Sequence, residues 1–505
     1  MTFAWILFLL YMAGTTYLGW MGFRKTKNFG SFAIGSGDLH PFVVGITLAA
    51  SVASAATFII NPGFIYVHGL AGFMHFVVAV GIGFNLMLVV LSFQFRRLGE
   101  QTRALTMPHW ISNRYGSRGF GLFFALINLF ALAFVVLIVG GLSIVMQQLL
   151  GVSNTVALII ILGFVTGYVF LGGTYAHVFT NTLQGSLMLI VTLLILFSGL
   201  HLFFGSDGGF LQQIAAQNPN LAKWVNPESN LYNNVFSIYI GGFLIGAALV
   251  CQPHILTKAL YVKSDKAVRQ YLTYGIIILA LFFLLPIAGF YARLTVPPEQ
   301  LIDAATGAFR QDLVMTVYIK NTFPGWLFTF IGIVLLAAGM STLDGILVSL
   351  STITANDFVL TLIDRFSRTQ RTPEERLSIA YKWSHIILLI IAVAAFLICL
   401  NPPKLLGIFG QVGVYGMAVA AVPPLLVGVL FHRASLHLVW IASTVGIAIH
   451  FFLYFYGARL FPDSGLTFAN PAVPASLALL IAGGPALIGA WIMNRKAGSG
   501  DTISS

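Results

Sequence analysis

The sequence predicts an all-α polytopic membrane protein, and three observations carry that expectation. Hydrophobic residues make up 58% of the 505 and charged residues 8%, against about 25% charged in a soluble domain. Thirteen apolar runs are of the order of the ~20 residues that cross a hydrocarbon core as a helix. The runs are continuously apolar instead of alternating at period two, which excludes a membrane β-barrel. They centre on Thr2–Met21, Pro41–Val67, Ala71–Phe95, Phe120–Leu149, Thr155–Leu171, Asn181–Phe204, Val235–Leu256, Tyr271–Ala292, Pro324–Ala355, Lys382–Leu400, Leu405–Leu430, Leu436–Phe455 and Val473–Met493.

Charge orients these helices, because Lys and Arg are retained on the cytoplasmic side. With Met1 outside, the inward segments hold Arg24, Lys25 and Lys27; Arg96, Arg97, Arg103, Arg114 and Arg118; Lys258, Lys263, Lys266 and Arg269; Arg365, Arg368, Arg371, Arg376 and Lys382; and Arg433, Arg495 and Lys496. Only Lys223, Arg293, Arg310, Lys320, Lys404 and Arg459 fall outside. An even helix count would scramble this separation, so thirteen helices with the N-terminus out and the C-terminus in is the expected arrangement. The net charge of +11 is what such loops sum to, with anionic lipid headgroups as its counterpart. No nucleic-acid partner is needed to explain it.

The chain reads as a single transmembrane domain over residues 1–496, followed by a cytoplasmic tail at 497–505. Cys251 and Cys399 do not form a spaced pair, so neither a disulfide framework nor a metal site is indicated. The first apolar run lacks a basic leader and is followed by Arg24, Lys25 and Lys27, so it reads as a retained helix and not a cleaved signal. Setting aside residues 1–40 and the last two helices, 436–493, leaves two blocks of five, 41–204 and 235–430. Five is odd, so the second block enters the membrane in the opposite sense. Inverted repeats of this kind build secondary transporters, which bind their ligands near the midplane where the opening helix of each repeat is interrupted.

Both opening helices carry weak points. In the first, small residues and hydroxyls precede Asn61, Pro62 and Gly63; in the second, Gly241, Gly242 and Gly246 precede Gln252, Pro253 and His254. Proline lacks a donor and glycine adds backbone freedom. Close packing of membrane helices uses the same small residues, and the matched pair favours transport.

Leu335–Phe358 places Ser341, Thr342 and Asp344 in the middle of an apolar helix. A carboxylate at that depth costs roughly 2.5–3.5 kcal/mol on insertion scales, so it marks a functional site by default. Asp344 is the only acid placed inside the bilayer. It lies three residues from Ser341 and shares its face. It could add negative potential to a cation site, exchange a proton, or accept bonds from a neighbouring helix. Two adjacent hydroxyls could bond back to the preceding turn or coordinate a hard cation beside the carbonyls of an unwound helix.

At this point the residues resemble a known family, the sodium/solute symporters that include sodium/pantothenate, sodium/proline and sodium/galactose carriers. GMSTLDGILVSLSTITANDF is similar to the family's MST-x-D-S helix, and SAATFIINPGFIYVHGL to the opening helix of pantothenate-type members. LTMPHWISNRYGSR resembles a cytoplasmic segment, GGTYAHVFTNTLQ the pattern GGxxAVxxTDxxQ, and CQPHILTKALYVKSDKAVRQ the QPH loop. The five matches stand in family order over nearly the whole chain. The resemblance implies a LeuT-type 5+5 inverted-repeat fold and a sodium site at the carbonyls of Ala50, Ala53 and Ala338 with the hydroxyls of Ser341 and Thr342; the Ala50 and Ala53 positions carry a one-residue register ambiguity. One departure is Asn181, a neutral amide where the family has an acid associated with sodium release inward.

Sugar is disfavoured as the solute, because Thr57 stands where sugar carriers have Gln and Ala71–Phe95 contains no acid. Ser54, Thr57 and Asn61 are the candidate solute residues, and an unwound helix end favours an anionic group. A small organic anion, a monocarboxylate or pantothenate-like solute, is the leading expectation, with an amino acid second. Gln252 and His254 are candidate inner-gate residues, with capping or loop bonding as the bland role. No HExxH, no GxSxG and no second buried acid supports an intramembrane enzyme. The expectation is a sodium symporter of the bacterial inner membrane that needs no cofactor beyond sodium as co-substrate. A proton-coupled or uncoupled carrier and a transporter-like nutrient sensor are the rivals.

Overall fold

The computed structural model describes residues 2–204, 209–302, 307–366, 371–403 and 405–500. Of the features placed above, Arg368, Lys404 and the end of the tail, 501–505, lie outside the described residues. In lipid every backbone polar group must be satisfied within the segment, which is why these apolar runs become helices. In chain order they are α1 (Thr2–Lys25), α2 (Phe29–Ile34), α3 (Pro41–Val52), α4 (Ala56–His68), α5 (Leu70–Gln101), α6 (Met107–Tyr115), α7 (Arg118–Leu150), α8 (Asn154–Phe203) and α9 (Phe210–Gln217). There follow α10 (Phe236–Leu249), α11 (Pro253–Tyr261), α12 (Asp265–Thr295), α13 (Val314–Thr322), α14 (Gly325–Phe366), α15 (Pro373–Leu400), α16 (Leu406–Leu430), α17 (Leu436–Leu460) and α18 (Ala472–Arg495). Polar residues mark the starts: Ser117, Ser153, Ser264 and Ser435 each accept a hydrogen bond from a backbone N–H of the first turn.

Among the described residues ten helices are long and apolar enough to cross a membrane, and up to twelve if each bent pair is one span. The bent pairs are α3 with α4, at 51°, and α10 with α11, at 63°. They open the two blocks of five. The second break falls where the sequence placed it: Gln252 is extended (φ −71°, ψ 134°) and Pro253 starts α11, as the restriction on a residue before proline requires. The first break lies upstream of its expected place. Ala53 leaves the helix (φ −79°, ψ 68°), whereas Asn61, Pro62 and Gly63 are helical. The wider π-type turn over Ala56–Ile60 accommodates the missing proline donor, so the break moves to the small residues before it. Gly242 and Gly246 do not unwind α10. An added Cβ on Gly246 would run into the Val80 carbonyl of α5, and one on Gly242 would lie 2.7 Å from Ala79 Cβ, so these glycines serve close packing.

Asn154–Ser198 alone, at 1.5 Å per residue, would be roughly twice the hydrocarbon thickness if straight. It is not straight, because Gly173 has φ 49° and ψ −133°, backbone that favours glycine. The bend seats on α2 and the link before it: Thr174 Oγ1 donates to Ala33 O at 2.8 Å, and Thr26 Oγ1 to Gly172 O at 2.8 Å. It falls between the two predicted runs Thr155–Leu171 and Asn181–Phe204.

Segments assigned to one side by charge gather at one end of the bundle. Arg96 bonds Lys263 O (3.1 Å) and Asp265 (2.7 Å), Thr106 bonds Asp357 (2.5 Å), and Arg114 bonds Phe431 O (2.6 Å). At the other end Asn226 bonds His68 O (3.1 Å), Asn470 bonds Leu231 O (3.0 Å), and Gln217 bonds Arg293 O (3.2 Å). Two charges depart from expectation. Lys258, counted with the solvated loops, is 0% exposed, and Asp357 is a second buried acid on α14, at 9%. Both follow from the inward folding of α11 and α6 against α14, which a linear pattern does not convey.

Candidate functional site

The break after α3 frees carbonyls that a regular helix would consume, and α14 passes beside them. Ser341 Oγ, with one proton to donate, lies within hydrogen-bond distance of both Ala50 O (2.9 Å) and Ala338 O (2.8 Å); Thr342 Oγ1 donates to Ser51 O at 2.9 Å. Four of the five predicted sodium residues, Ala50, Ala338, Ser341 and Thr342, are therefore together and fully buried. The carbonyl facing Thr342 is that of Ser51, two residues before Ala53, whose own N–H bonds back to Ala49 O at 2.9 Å. This set consists of hard, neutral oxygens, the donor type that suits a group I or II cation.

Asn181 borders the same set. Its Nδ2 donates to Ser341 O at 2.7 Å and to Ser51 Oγ at 3.1 Å, while its Oδ1 has no partner. The amide thus donates to Ser341 O, a carbonyl that a carboxylate in its place would repel, and to Ser51 Oγ, a hydroxyl that would have to turn and donate to a carboxylate. We expect Asn181→Asp to leave Ser341 O facing an acid, which gives a departing cation a bridging position. Single-turnover efflux should be faster by several-fold with solute preference unchanged, since Asn181 does not line the cavity described next. Unchanged or slower efflux would remove Asn181 from the exit route.

Beside the break lies a cavity of about 110 Å³, lined by Ser54, Thr57 and Asn61 from the first broken pair and by Gln252 and His254 from the second. All three predicted solute residues and both predicted gate residues therefore meet there. Gln411 and Tyr415 of α16 complete its polar wall, with Phe76, Phe84, Phe134 and Phe283 among the apolar ones. The sequence reading missed Gln411 and Tyr415. The pattern GQVGVY sits in an otherwise apolar helix, so a glutamine in mid-run was the available signal. Among the described residues, no Lys, Arg, Asp or Glu lines the cavity.

Asp344 is caged by α8. Its Oδ1 lies 2.8 Å from His177 Nδ1, and its Oδ2 accepts from Tyr168 OH at 3.0 Å, with Thr180 Oγ1, which also lies 2.9 Å from Ala176 O, at 3.2 Å. The bend at Gly173 makes this possible, because Tyr168 precedes it and His177 follows it. Of the three roles left open for Asp344, acceptance of bonds from a neighbouring helix is directly observed. The sequence pattern GGTYAH does not by itself reveal these partners, since only the bend brings its two flanks together.

The sodium:solute symporter family pattern matches residues 32–438. The chain belongs to the sodium:solute symporter family. Among its relatives, this symporter-family chain is 25% identical over 463 residues to a sodium/pantothenate symporter of Haemophilus influenzae, covering 90% of each chain. It is 24% identical over 506 residues to the uncharacterized symporter YwcA of Bacillus subtilis, covering 97% of this chain and 93% of that one. The sodium/pantothenate symporter of Escherichia coli is 25% identical over 425 residues, 82% of each. Among solved structures, a Na+-coupled sialic acid symporter in a substrate-bound outward-open state superposes with a TM-score of 0.74 at 19% identity, covering 95% of this chain and 96% of that one. MHP1, a nucleobase-cation-symport-1 family transporter, gives 0.52 at 15% identity, with 89% and 93% covered. The shared fold is that of these carriers, and the family is one of transporters and not of enzymes.

Proposed function

We propose that this family member is a sodium-coupled symporter that imports a small organic anion, a monocarboxylate or pantothenate-like solute, across the bacterial inner membrane by alternating access. The observation that carries the reading is the convergence of Ala50 O, Ser51 O and Ala338 O on the Ser341 and Thr342 hydroxyls, directly beside a cavity that ends on the same broken helix. Sodium would join α3 to α14 and so favour the arrangement that binds solute. By linkage, sodium and solute then raise each other's affinity by one common factor. The neutral cavity wall agrees with an anion whose charge is met by the neighbouring sodium and by the N-terminal end of the second half-helix. On this reading the chain crosses thirteen times, α8 twice, with its N-terminus outside.

The test is uptake by reconstituted vesicles of labelled monocarboxylates, pantothenate, amino acids and sugars, each under an inward sodium gradient and an equal potassium gradient. Sodium-driven accumulation of an organic anion is expected. Accumulation of an amino acid instead would replace the solute class, and equilibration without accumulation, or dependence on a proton gradient alone, would overturn sodium coupling. Gln411→Ala should raise the KM for the transported solute about tenfold, the loss expected from one hydrogen bond to a charged group. An unchanged KM would take α16 out of the solute site.

A further inference from the structure

The link from α5 to α6 turns at Arg103, which has φ 51° and is the one non-glycine residue with positive φ among the described residues. That conformation is uncommon for a residue with a Cβ, and here it sets an arginine on the wall of a cavity of about 1130 Å³. Arg118, at the start of α7, and Arg371 and Arg376, at the start of α15, line the same space. The cavity thus gathers four guanidiniums from three links far apart in sequence, at the end of the bundle where the basic loops meet.

The carboxylates there do not balance them. Asp357 is on the wall, and its oxygens accept from Thr106 Oγ1 at 2.5 Å and Asn356 Nδ2 at 3.0 Å. Asp364 is shared by Arg371 (3.4 Å) and Arg376 (2.9 Å). Four guanidiniums against these two acids leave an excess of at least two positive charges. Glu374 and Glu375 stand in the first turn of α15 but off the wall, and Glu375 is engaged with the Thr372 cap. Among the described residues no carboxylate lies within salt-bridge distance of Arg103 or Arg118. His109 of α6, another wall residue, feels this field: burial, and after it the Arg376 guanidinium, push its pKa below the ordinary imidazole value. The N-terminal end of α7 opens at Ser117 on the same wall, and its partial positive charge adds to the excess.

One edge of the cavity is apolar and leads into the membrane. Leu122 of α7 lines it, and Leu126 and Leu129, four and seven residues on and so on the same face, are 45% and 44% exposed. A cationic mouth that continues into a lipid-facing leucine stripe fits a molecule with a phosphate at one end and hydrocarbon at the other.

We propose that this cavity is a binding site for one anionic phospholipid, whose phosphodiester meets Arg103 and Arg118 and whose chains follow Leu122, Leu126 and Leu129. The guanidinium fork matches phosphate oxygens in geometry, and these two arginines have no competing acid. A soluble phosphate ester could meet the same guanidiniums but would make no use of the leucine stripe, which favours the lipid. Bound there, the lipid ties the α5–α6 link to α7 and to the start of α15. The inference does not depend on the solute or the driving ion.

The test is native mass spectrometry of the full chain, delipidated in detergent, with phosphatidylglycerol or phosphatidylcholine added. Phosphatidylglycerol should bind at least about tenfold more tightly. Arg103→Gln with Arg118→Gln should weaken it at least about tenfold, and Arg118→Gln alone, at an exposed position, at least about threefold, since one basic residue near an anionic lipid is worth roughly fivefold. Lys266→Gln with Arg269→Gln removes the same charge from the start of α12, off the cavity wall, and should change the affinity less than about twofold. Equal affinity for the two lipids, no loss in Arg118→Gln, or equal losses in the two double variants would each overturn the site in favour of diffuse attraction. If Arg103→Gln disturbs folding, seen as loss of the monodisperse peak, Arg118→Gln decides by itself. In a second arm glycerophosphoglycerol, the same headgroup without chains, is added in about tenfold excess over the lipid. It should displace little of it, and full displacement would overturn the lipid in favour of a free phosphate ester.

Discussion

Thr342→Ala is expected to raise the sodium concentration for half-maximal uptake by about ten- to a hundredfold while leaving most of the protein folded. Thr342 Oγ1 sits 2.9 Å from Ser51 O, and a hydroxyl that contacts a cation is worth about 1.5–3 kcal/mol, which is that range in affinity. The structural loss is smaller. Interhelical hydrogen bonds in membranes average about 0.6 kcal/mol, and α3 remains tied to α14 through Ser341 and Ala50. The measurement is sodium activation of uptake alongside the monodisperse yield of each variant. Sodium activation equal to that of the unaltered chain would sink the site, whereas a collapse in yield would show that Thr342 serves the fold.

Gly246→Val is expected to abolish folded protein. Gly246 faces the Val80 backbone, and Gly83 on the same interface faces the Phe243 carbonyl, so α5 and α10 meet backbone to backbone. Overpacking usually costs about 1–3 kcal/mol because neighbouring side chains give way. Here the obstacle is a carbonyl fixed in its own helix, so α10 itself would have to move. That helix leads into the second break and, through Leu249, lines the cavity beside the first break. Gly163→Val is the control, since nothing lies within 4 Å of its added Cβ. Size-exclusion profiles of detergent extracts should show loss of the monodisperse peak for the first and a normal peak for the second. Equal peaks would mean that α10 and α5 can separate without unfolding.

The candidate site divides along a physical line. Ser341, Thr342 and Asp344 were legible because polar groups in an apolar helix are costly and cannot be incidental. Ser54, Thr57, Asn61, Gln252 and His254 were legible because proline, glycine and small polar residues interrupt both opening helices. The exact position of the first break was not. It depends on whether the chain absorbs Pro62 with a π-type turn, which local composition does not decide, and so Ser51 O, not Ala53 O, faces Thr342. Tyr168 and His177 stayed hidden because they are nine residues apart and meet only across the bend at Gly173.

The sequence by itself determined that this chain is a helical membrane protein, which loops share a side, and where its polar groups enter the apolar interior. Those features follow from the transfer energies of individual residues, which are local. Only the tertiary structure decided that Asn181 supplies donors to the cation-type site, that Gln411 and Tyr415 line the cavity beside the first break, and that Lys258 is buried. Each of these depends on which helices touch and at what bend, and that is set by backbone contact at glycines and by the three interruptions in otherwise regular helices.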